Sequence, residues 1–275
     1  MPMIKTRDGT HLYAKDWGGE NSGPTVLLIH GWPLNADSWE YQAVPLAEAG
    51  YRVVAYDRRG FGRSEQPWTG YNYDTMADDM ADVISELKLT DVSAFGFSMG
   101  GGEISRYMSR HDGRKIIKAG LISSVAPFML KTPDNPDGVD AGVFEDMKKG
   151  LRDDRPAFLS NFFKDFYRQD VNGGVSDGVL HWSLMMSMLA SPKATLDCVD
   201  AFGKTDFRPD MSAFEVPTLI VHGKKDKTVP IACSGDQAAE MIKDATYKPY
   251  DDAPHGLTAT HTDQLNADMM AFLKS

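Results

Sequence analysis

Two hydrophobic rhythms alternate along the first half of the chain. Thr25–His30 (TVLLIH), Arg52–Asp57 (RVVAYD), Val92–Phe97 (VSAFGF) and Ile116–Ser123 (IIKAGLIS) are short, mostly apolar runs rich in β-branched residues. Runs of this kind are expected of strands buried on both faces of a sheet. Between them the apolar residues fall at helical spacing. Met76, Met80, Val83, Ile84 and Leu87 share one face of a helix over Asp74–Leu87, and Ser38–Ala49 and Met99–His111 read the same way. The Ser38–Ala49 helix stops at Gly50, a residue suited to a left-handed C-cap. Residues 3–17 read as a hairpin turned at Asp8-Gly9. Strand and helix alternating at this spacing require right-handed crossovers, hence a parallel sheet with helices on both faces.

The rhythm breaks after Val125. Residues 127–212 contain no run that reads as a strand, open on the turn-prone KTPDNPDG (131–138), and are rich in Phe and Met. Phe158, Phe162 and Phe166 recur every four residues and so share a helical face. Strand patterning resumes at Thr218–His222 (TLIVH) and Thr246–Tyr250, with a helix expected from Pro230 and a closing helix over Thr258–Leu273. The expected fold class is α/β: a core from residues 1–126 and 213–275, and a helical cap from 127–212 lying over one edge of the sheet.

Charge and cysteine content narrow the function. Against 29 Lys and Arg stand 39 Asp and Glu, a net charge of −10. That balance argues against nucleic acid or an anionic membrane as partner. No apolar run reaches the roughly 18 residues needed to span a bilayer. The first residues carry no apolar leader segment, and Cys198 and Cys233 stand alone, so free thiols and a cytoplasmic location are expected. No phosphate-binding glycine motif opens the first strand–helix unit and no histidine pair has H-x-x-x-H spacing, so neither cofactor nor metal is expected.

The chemistry concentrates where a strand meets a helix. Gly96, Ser98 and Gly100 form G-x-S-x-G between the Val92–Phe97 run and the following helix. A nucleophile at such a turn needs glycines two residues away on either side, because a Cβ there crowds its neighbours. The Met99 N–H sits at the helix N-terminus, where unpaired amides favour negative charge. A serine also needs a base and a carboxylate to orient that base. In this chain order they follow on loops after late strands: Asp226 comes after TLIVH, and His255 comes after TYKPY. Asp251 and Asp252 lie too near His255 in sequence to reach its far nitrogen. His11 lies on the hairpin, His111 at a helix end and His181 in the insertion. His222 lies close enough to the acid loop in sequence to support the acid from behind, although a structural part at the strand end is the expected role, and His261 is expected to face solvent from the last helix. His30-Gly31-Trp32-Pro33 follows the first buried strand, so the Trp32 N–H is the second oxyanion candidate and His30 a brace for the loop. Pro33 fixes its own φ and donates no hydrogen bond, which constrains where the Trp32 carbonyl points. That carbonyl is expected to accept a hydrogen bond from hydrogen peroxide.

On the pieces HGWP, DRRGFGRS (57–64), GFSMGGG, HGKKDKTVP and APHGL, the chain resembles the α/β-hydrolase family over essentially its whole length. More narrowly it is similar to the branch of bacterial aryl esterases and cofactor-free, non-haem haloperoxidases, also called perhydrolases. The resemblance implies Ser98 as nucleophile, Asp226 as acid, His255 as base, and Trp32 and Met99 as oxyanion donors. It also implies a pocket of Phe97, Val125, Met129, Phe162, Phe166, Phe202 and Val229, with Pro33 beside it, and a loop pinned by Asp57, Arg58 and Arg63. Serine at the elbow separates the chain from the haloalkane dehalogenases and epoxide hydrolases, which carry Asp there. Cofactor-independent dioxygenases share the fold as well. The expected reaction is hydrolysis of a small neutral ester through an acyl-enzyme, with hydrogen peroxide or a short carboxylic acid as further reactants. A non-enzymatic ligand receptor on the same fold is the alternative, and the sequence leaves a homo-oligomer open.

Overall fold

The apolar runs assemble into one sheet. The computed structural model describes residues 2–18, 23–170 and 174–275. Its strands are β1 (Met3–Lys5), β2 (His11–Trp17), β3 (Thr25–Ile29), β4 (Arg52–Tyr56), β5 (Val92–Phe97), β6 (Ile116–Ile122), β7 (Thr218–Gly223) and β8 (Ala245–Tyr250). They lie in the order β1-β2-β4-β3-β5-β6-β7-β8. β1 and β2 are antiparallel, β2 runs antiparallel to β4, and every pairing from β4 to β8 is parallel. β3 and β5 are buried along their full length, which explains why their sequences show no polar alternation. All strands from β3 to β8 end on the same edge of the sheet.

The helices start where side chains can take up their free N–H groups. A 3₁₀ turn at Ala36–Trp39, capped by the Asn35 side chain, leads into α1 (Glu40–Glu48). Asn72 caps α2 (Tyr73–Glu86) through the Thr75 N–H at 3.0 Å, and α3 (Met99–Arg110) follows β5 directly. Between β6 and β7 come α4 (Ala141–Phe166), α5 (Asp177–Met188) and α6 (Pro192–Lys204). Residues 171–173 of that stretch lie outside the described residues. α4 is two helices joined at Asp154, whose φ of −154° and ψ of 87° interrupt it. The Asp154 carboxylate accepts from the Ala157 N–H at 3.0 Å and Pro156 sits in the new first turn, where a missing N–H costs nothing.

Two boundaries differ from the sequence reading. The helix expected from Pro230 is a 3₁₀ turn at Ile231–Cys233 followed by α7 (Gly235–Met241). The closing helix is broken into α8 (Leu257–Thr260) and α9 (Thr262–Lys274). His261 occupies the break. It is half-buried, with Nε2 3.1 Å from Asp252 Oδ1, rather than facing solvent from within a helix. Among the described residues no helix is long and apolar enough to cross a membrane.

A charged cluster is enclosed beneath the C-terminal edge of the sheet. Arg58 and Glu103 are fully buried, with Nε 2.7 Å from Oε2, and the Tyr56 hydroxyl donates to the other carboxylate oxygen. Arg58 also donates to the His30 carbonyl at 2.8 Å. Its backbone N–H donates to His30 Nε2 at 2.9 Å, so that nitrogen is an acceptor and the proton lies on Nδ1, which donates to the Gly31 carbonyl at 2.9 Å. Burial and the Arg58 charge hold the His30 pKa well below its ordinary value, so the ring is neutral. Asp57 ties the next loop by accepting from the Ala36 N–H at 2.9 Å and the Arg63 N–H at 2.8 Å. Removing one partner of a buried ion pair strands the other, at a cost of about 3–5 kcal/mol. Glu103→Ala is therefore expected to lower the urea-unfolding free energy by about that amount, and a loss under about 1 kcal/mol would show that Arg58 finds other compensation.

Candidate active site

The site begins with a strained turn. β5 ends at Phe97 and α3 starts at Met99, leaving Ser98 alone between them at φ +53° and ψ −116°. Holding a residue with a side chain in such a region costs on the order of 1–3 kcal/mol. The surroundings enforce it. The Ser98 N–H donates to the Ile122 carbonyl at 2.8 Å, and its carbonyl accepts from Gly101 at 3.0 Å and Val125 at 3.3 Å. The strand and helix approach so closely that a Cβ on Gly96 would stand 2.4 Å from the Gly100 backbone, and one on Gly100 2.3 Å from the Ile29 carbonyl oxygen. Only glycine fits either place.

Two loops at the same edge of the sheet complete a hydrogen-bonded chain. His255, after β8, has Nε2 2.9 Å from Ser98 Oγ and Nδ1 2.6 Å from Asp226 Oδ2. The ring packs against Phe97 and Phe166, with centroids 5.1 and 4.8 Å away. Asp226, after β7, accepts on Oδ1 from the Thr228 and Val229 N–H groups at 2.9 and 2.8 Å. Burial by itself would raise the Asp226 pKa. The charge and hydrogen bond of His255, with a contact from His222, outweigh it and bring the carboxyl down to about 2. Asp251 pairs with Lys224 at 2.7 Å and Asp252 with His261, so neither competes for His255.

The oxyanion candidates sit beside this chain. Trp32 follows β3 on a turn closed by the Leu34 N–H donating to the Gly31 carbonyl at 3.0 Å, and the Trp32–Pro33 peptide bond is cis. The Trp32 indole donates to the Thr195 carbonyl at 3.2 Å and its ring meets Phe162 and Phe202 edge-on or tilted. Among the described residues neither the Trp32 nor the Met99 backbone N–H donates to another protein group.

A narrow cavity opens onto Ser98 and His255. Of the residues picked from sequence, Trp32, Val125, Met129, Phe162, Phe202 and Val229 line it. Pro33, Phe97 and Phe166 do not. Pro33 is buried in the turn beside Trp32, and the rings of Phe97 and Phe166 pack on the His255 ring. Phe144 of the Phe-rich insertion lines the cavity too, and the sequence reading missed Val139, Val143, Met147 and Thr228 as lining residues. Val139, Val143 and Met147 recur every four residues into α4, a signal that was present, whereas nothing but its nearness to Asp226 marks Thr228. No Lys or Arg lines the cavity. Among the described residues no group of three or more His, Cys, Asp or Glu side chains is placed to hold a metal ion.

The family described as the alpha/beta hydrolase fold matches residues 24–262. A non-heme chloroperoxidase of Kitasatospora aureofaciens is 41% identical, with 99% of each chain covered. A bifunctional esterase/perhydrolase of Acinetobacter calcoaceticus is 39% identical, with both chains fully covered. The crystal structure of a bromoperoxidase from Bacillus anthracis superimposes with a TM-score of 0.95 at 43% identity, covering 100% of this chain and 99% of that one.

The depressed Asp226 pKa has a pH consequence. A carboxylate whose folded pKa lies below its unfolded value stabilises the fold above the unfolded pKa, near 4, and loses that contribution as pH falls toward the folded value, about 2. The stability advantage of the wild type over Asp226→Asn, measured by urea unfolding, is expected to shrink steadily from about pH 5 to about pH 2.5. An advantage that stays constant over that range would contradict the assignment of the low pKa to Asp226.

Proposed function

Because the chain belongs to the α/β-hydrolase family, we propose that it hydrolyses small carboxylic esters through an acyl-Ser98 intermediate and passes the same acyl group to hydrogen peroxide. The observation that carries this reading is the unbroken Asp226–His255–Ser98 hydrogen-bond chain ending in an apolar cavity. Asp226 is an acceptor only, so the proton between it and His255 belongs to His255 Nδ1. Nε2 is then free to take the Ser98 proton.

Ser98 Oγ attacks the ester carbonyl while His255 Nε2 takes its proton. The carbonyl oxygen becomes an oxyanion held by the Trp32 and Met99 N–H groups, which are already free and need no reorganisation. The intermediate collapses, the C–O bond to the alcohol breaks, and His255 returns the proton to the leaving oxygen. Water activated by His255 then releases the acid. Hydrogen peroxide in place of water releases a peracid. In solution the peracid oxidises bromide to hypobromous acid and becomes the carboxylate, the O–O bond supplying the two-electron oxidant. This chemistry joins the esterase, perhydrolase and chloroperoxidase activities named for the relatives.

The apolar lining and the absence of Lys or Arg from it favour neutral esters with short acyl or aryl groups. Residues 127–212 are the cap over this cavity in our reading, since α4 and α6 supply Val143, Phe144, Met147, Phe162 and Phe202 to its wall. A short carboxylic acid serves as acyl donor in the reverse direction. We place the protein in the cytoplasm, a location consistent with two buried, unpaired cysteines.

With p-nitrophenyl acetate, Ser98→Ala is expected to lower kcat/KM by about 10⁴-fold or more while leaving the fold intact. Retention of more than about a tenth of wild-type activity would overturn the nucleophile assignment. Asp226→Asn is expected to lose about 10⁴-fold in kcat, and Asp252→Asn to lose little. Equal losses would mean the wrong carboxylate was chosen. Bromination of monochlorodimedone in acetate and hydrogen peroxide is expected to vanish in Ser98→Ala, and its persistence would rule out the acyl-enzyme route.

A further inference from the structure

One more buried ionisable side chain touches the acid, and the steps above do not use it. His222 stands near the end of β7 with its side chain 1% exposed. Its Nε2 lies 2.9 Å from the Val229 carbonyl oxygen and 3.3 Å from Asp226 Oδ2. Both are acceptors only, so Nε2 carries the proton. Among the described residues no protein group bonds its buried Nδ1. Asp226 Oδ2 thus accepts from His255 and has the His222 Nε2 at 3.3 Å, while Oδ1 accepts from two amides of its own turn.

We propose that His222 is a positioning residue for the reaction: its Nε2–H, bonded to the Val229 carbonyl and 3.3 Å from Asp226 Oδ2, locks the 226–229 turn and holds back part of the carboxylate's charge from His255. The proposal rests on Asp226 being the acid of the site. The physical logic is competitive. A carboxylate oxygen that receives a second donor is a weaker acceptor for the first. Without His222, Oδ2 interacts with His255 alone, and the imidazolium that forms during the reaction meets more of the carboxylate's charge. The aim of the carboxylate also loosens, because the Val229 carbonyl and Asp226 are no longer tied to one ring. The other titratable neighbours stay neutral throughout. Burial pushes the Cys233 thiol, within electrostatic reach of Asp226, up to about 12. Burial likewise pushes the Tyr167 hydroxyl, whose ring lies against Gly256 beside the base, up to about 12.

Three variants test this. His222→Leu removes the donor, His222→Gln keeps an N–H at the reach of Nε2, and His222→Asn is polar but too short. For p-nitrophenyl acetate, His222→Leu and His222→Asn are expected to lose about 10- to 100-fold in kcat with KM little changed. The acid limb of their kcat/KM profiles is expected to move to higher pH, and His222→Gln to recover most of kcat and restore the limb. If His222→Leu does not fold, the comparison of Asn with Gln decides. Folded variants with unchanged kcat and limb overturn the proposal. So does a loss of kcat with an unmoved limb or without recovery in Gln, since that is what a purely structural role gives. Ser98→Ala and Asp226→Asn separate the two readings: if both are inactive and the His222 variants are normal, only this inference fails, and if Ser98→Ala is active the reading of the site fails first.

Discussion

The tight reversal at Ser98 is the constraint on which the rest of this molecule depends. For β5 to run directly into α3, the backbone must pass through a positive φ at a residue with a side chain. The penalty is met by a set of surrounding contacts rather than by the turn itself. The Ile122 carbonyl on β6 and the amides of Gly101 and Val125 hold the Ser98 peptide groups. The absence of side chains at Gly96 and Gly100 lets the helix end pack onto β5 and the end of β3. The same closeness that strains the backbone presents the hydroxyl beyond the sheet edge and leaves the Met99 N–H at a helix start, with no protein partner among the described residues. Strain and chemistry are thus two aspects of one geometry.

The remaining parts reach that hydroxyl because parallel strands deliver their following loops to one edge. β7 delivers Asp226 and β8 delivers His255, which are 29 residues apart in the chain and 2.6 Å apart in space. Each is held by more than its partner in the chain of hydrogen bonds. Asp226 is gripped by the amides of its own turn, and the His255 ring by Phe97 and Phe166. On the other flank, the Arg58–Glu103 pair and neutral His30 support the loop that carries Trp32. Enclosing so many polar groups is tolerable only because nearly every one has a bonding partner.

The segment between β6 and β7 contributes in a different manner. Its helices supply aromatic and aliphatic surface and little hydrogen bonding to the site. Phe166 shows the division within a single helix. It leaves the cavity to Phe162, one turn earlier, packs on the His255 ring, and its carbonyl accepts from the Gly256 N–H at 2.9 Å, which ties α4 to the loop of His255.

Much of this was legible from sequence, and the reason is local. Buried parallel strands must be apolar throughout, so β3 to β7 appear as runs, and the ends of Val92–Phe97 match β5 to the residue. The strained elbow admits only glycine on either side of Ser98, which leaves an unmistakable spacing. Asp226 and His255 could be picked because strand order fixes which loops share an edge. What the sequence could not decide was direction. Phe97, Phe162 and Phe166 read alike as apolar residues near the site, yet only Phe162 faces the cavity while the other two face the histidine. The break at His261, the kink at Asp154 and the contact of His222 with Asp226 are of the same kind. Composition and periodicity determine that a side chain is buried and on which element. Which of several buried neighbours it meets is set by how elements distant in sequence pack, and that is decided only in the tertiary structure.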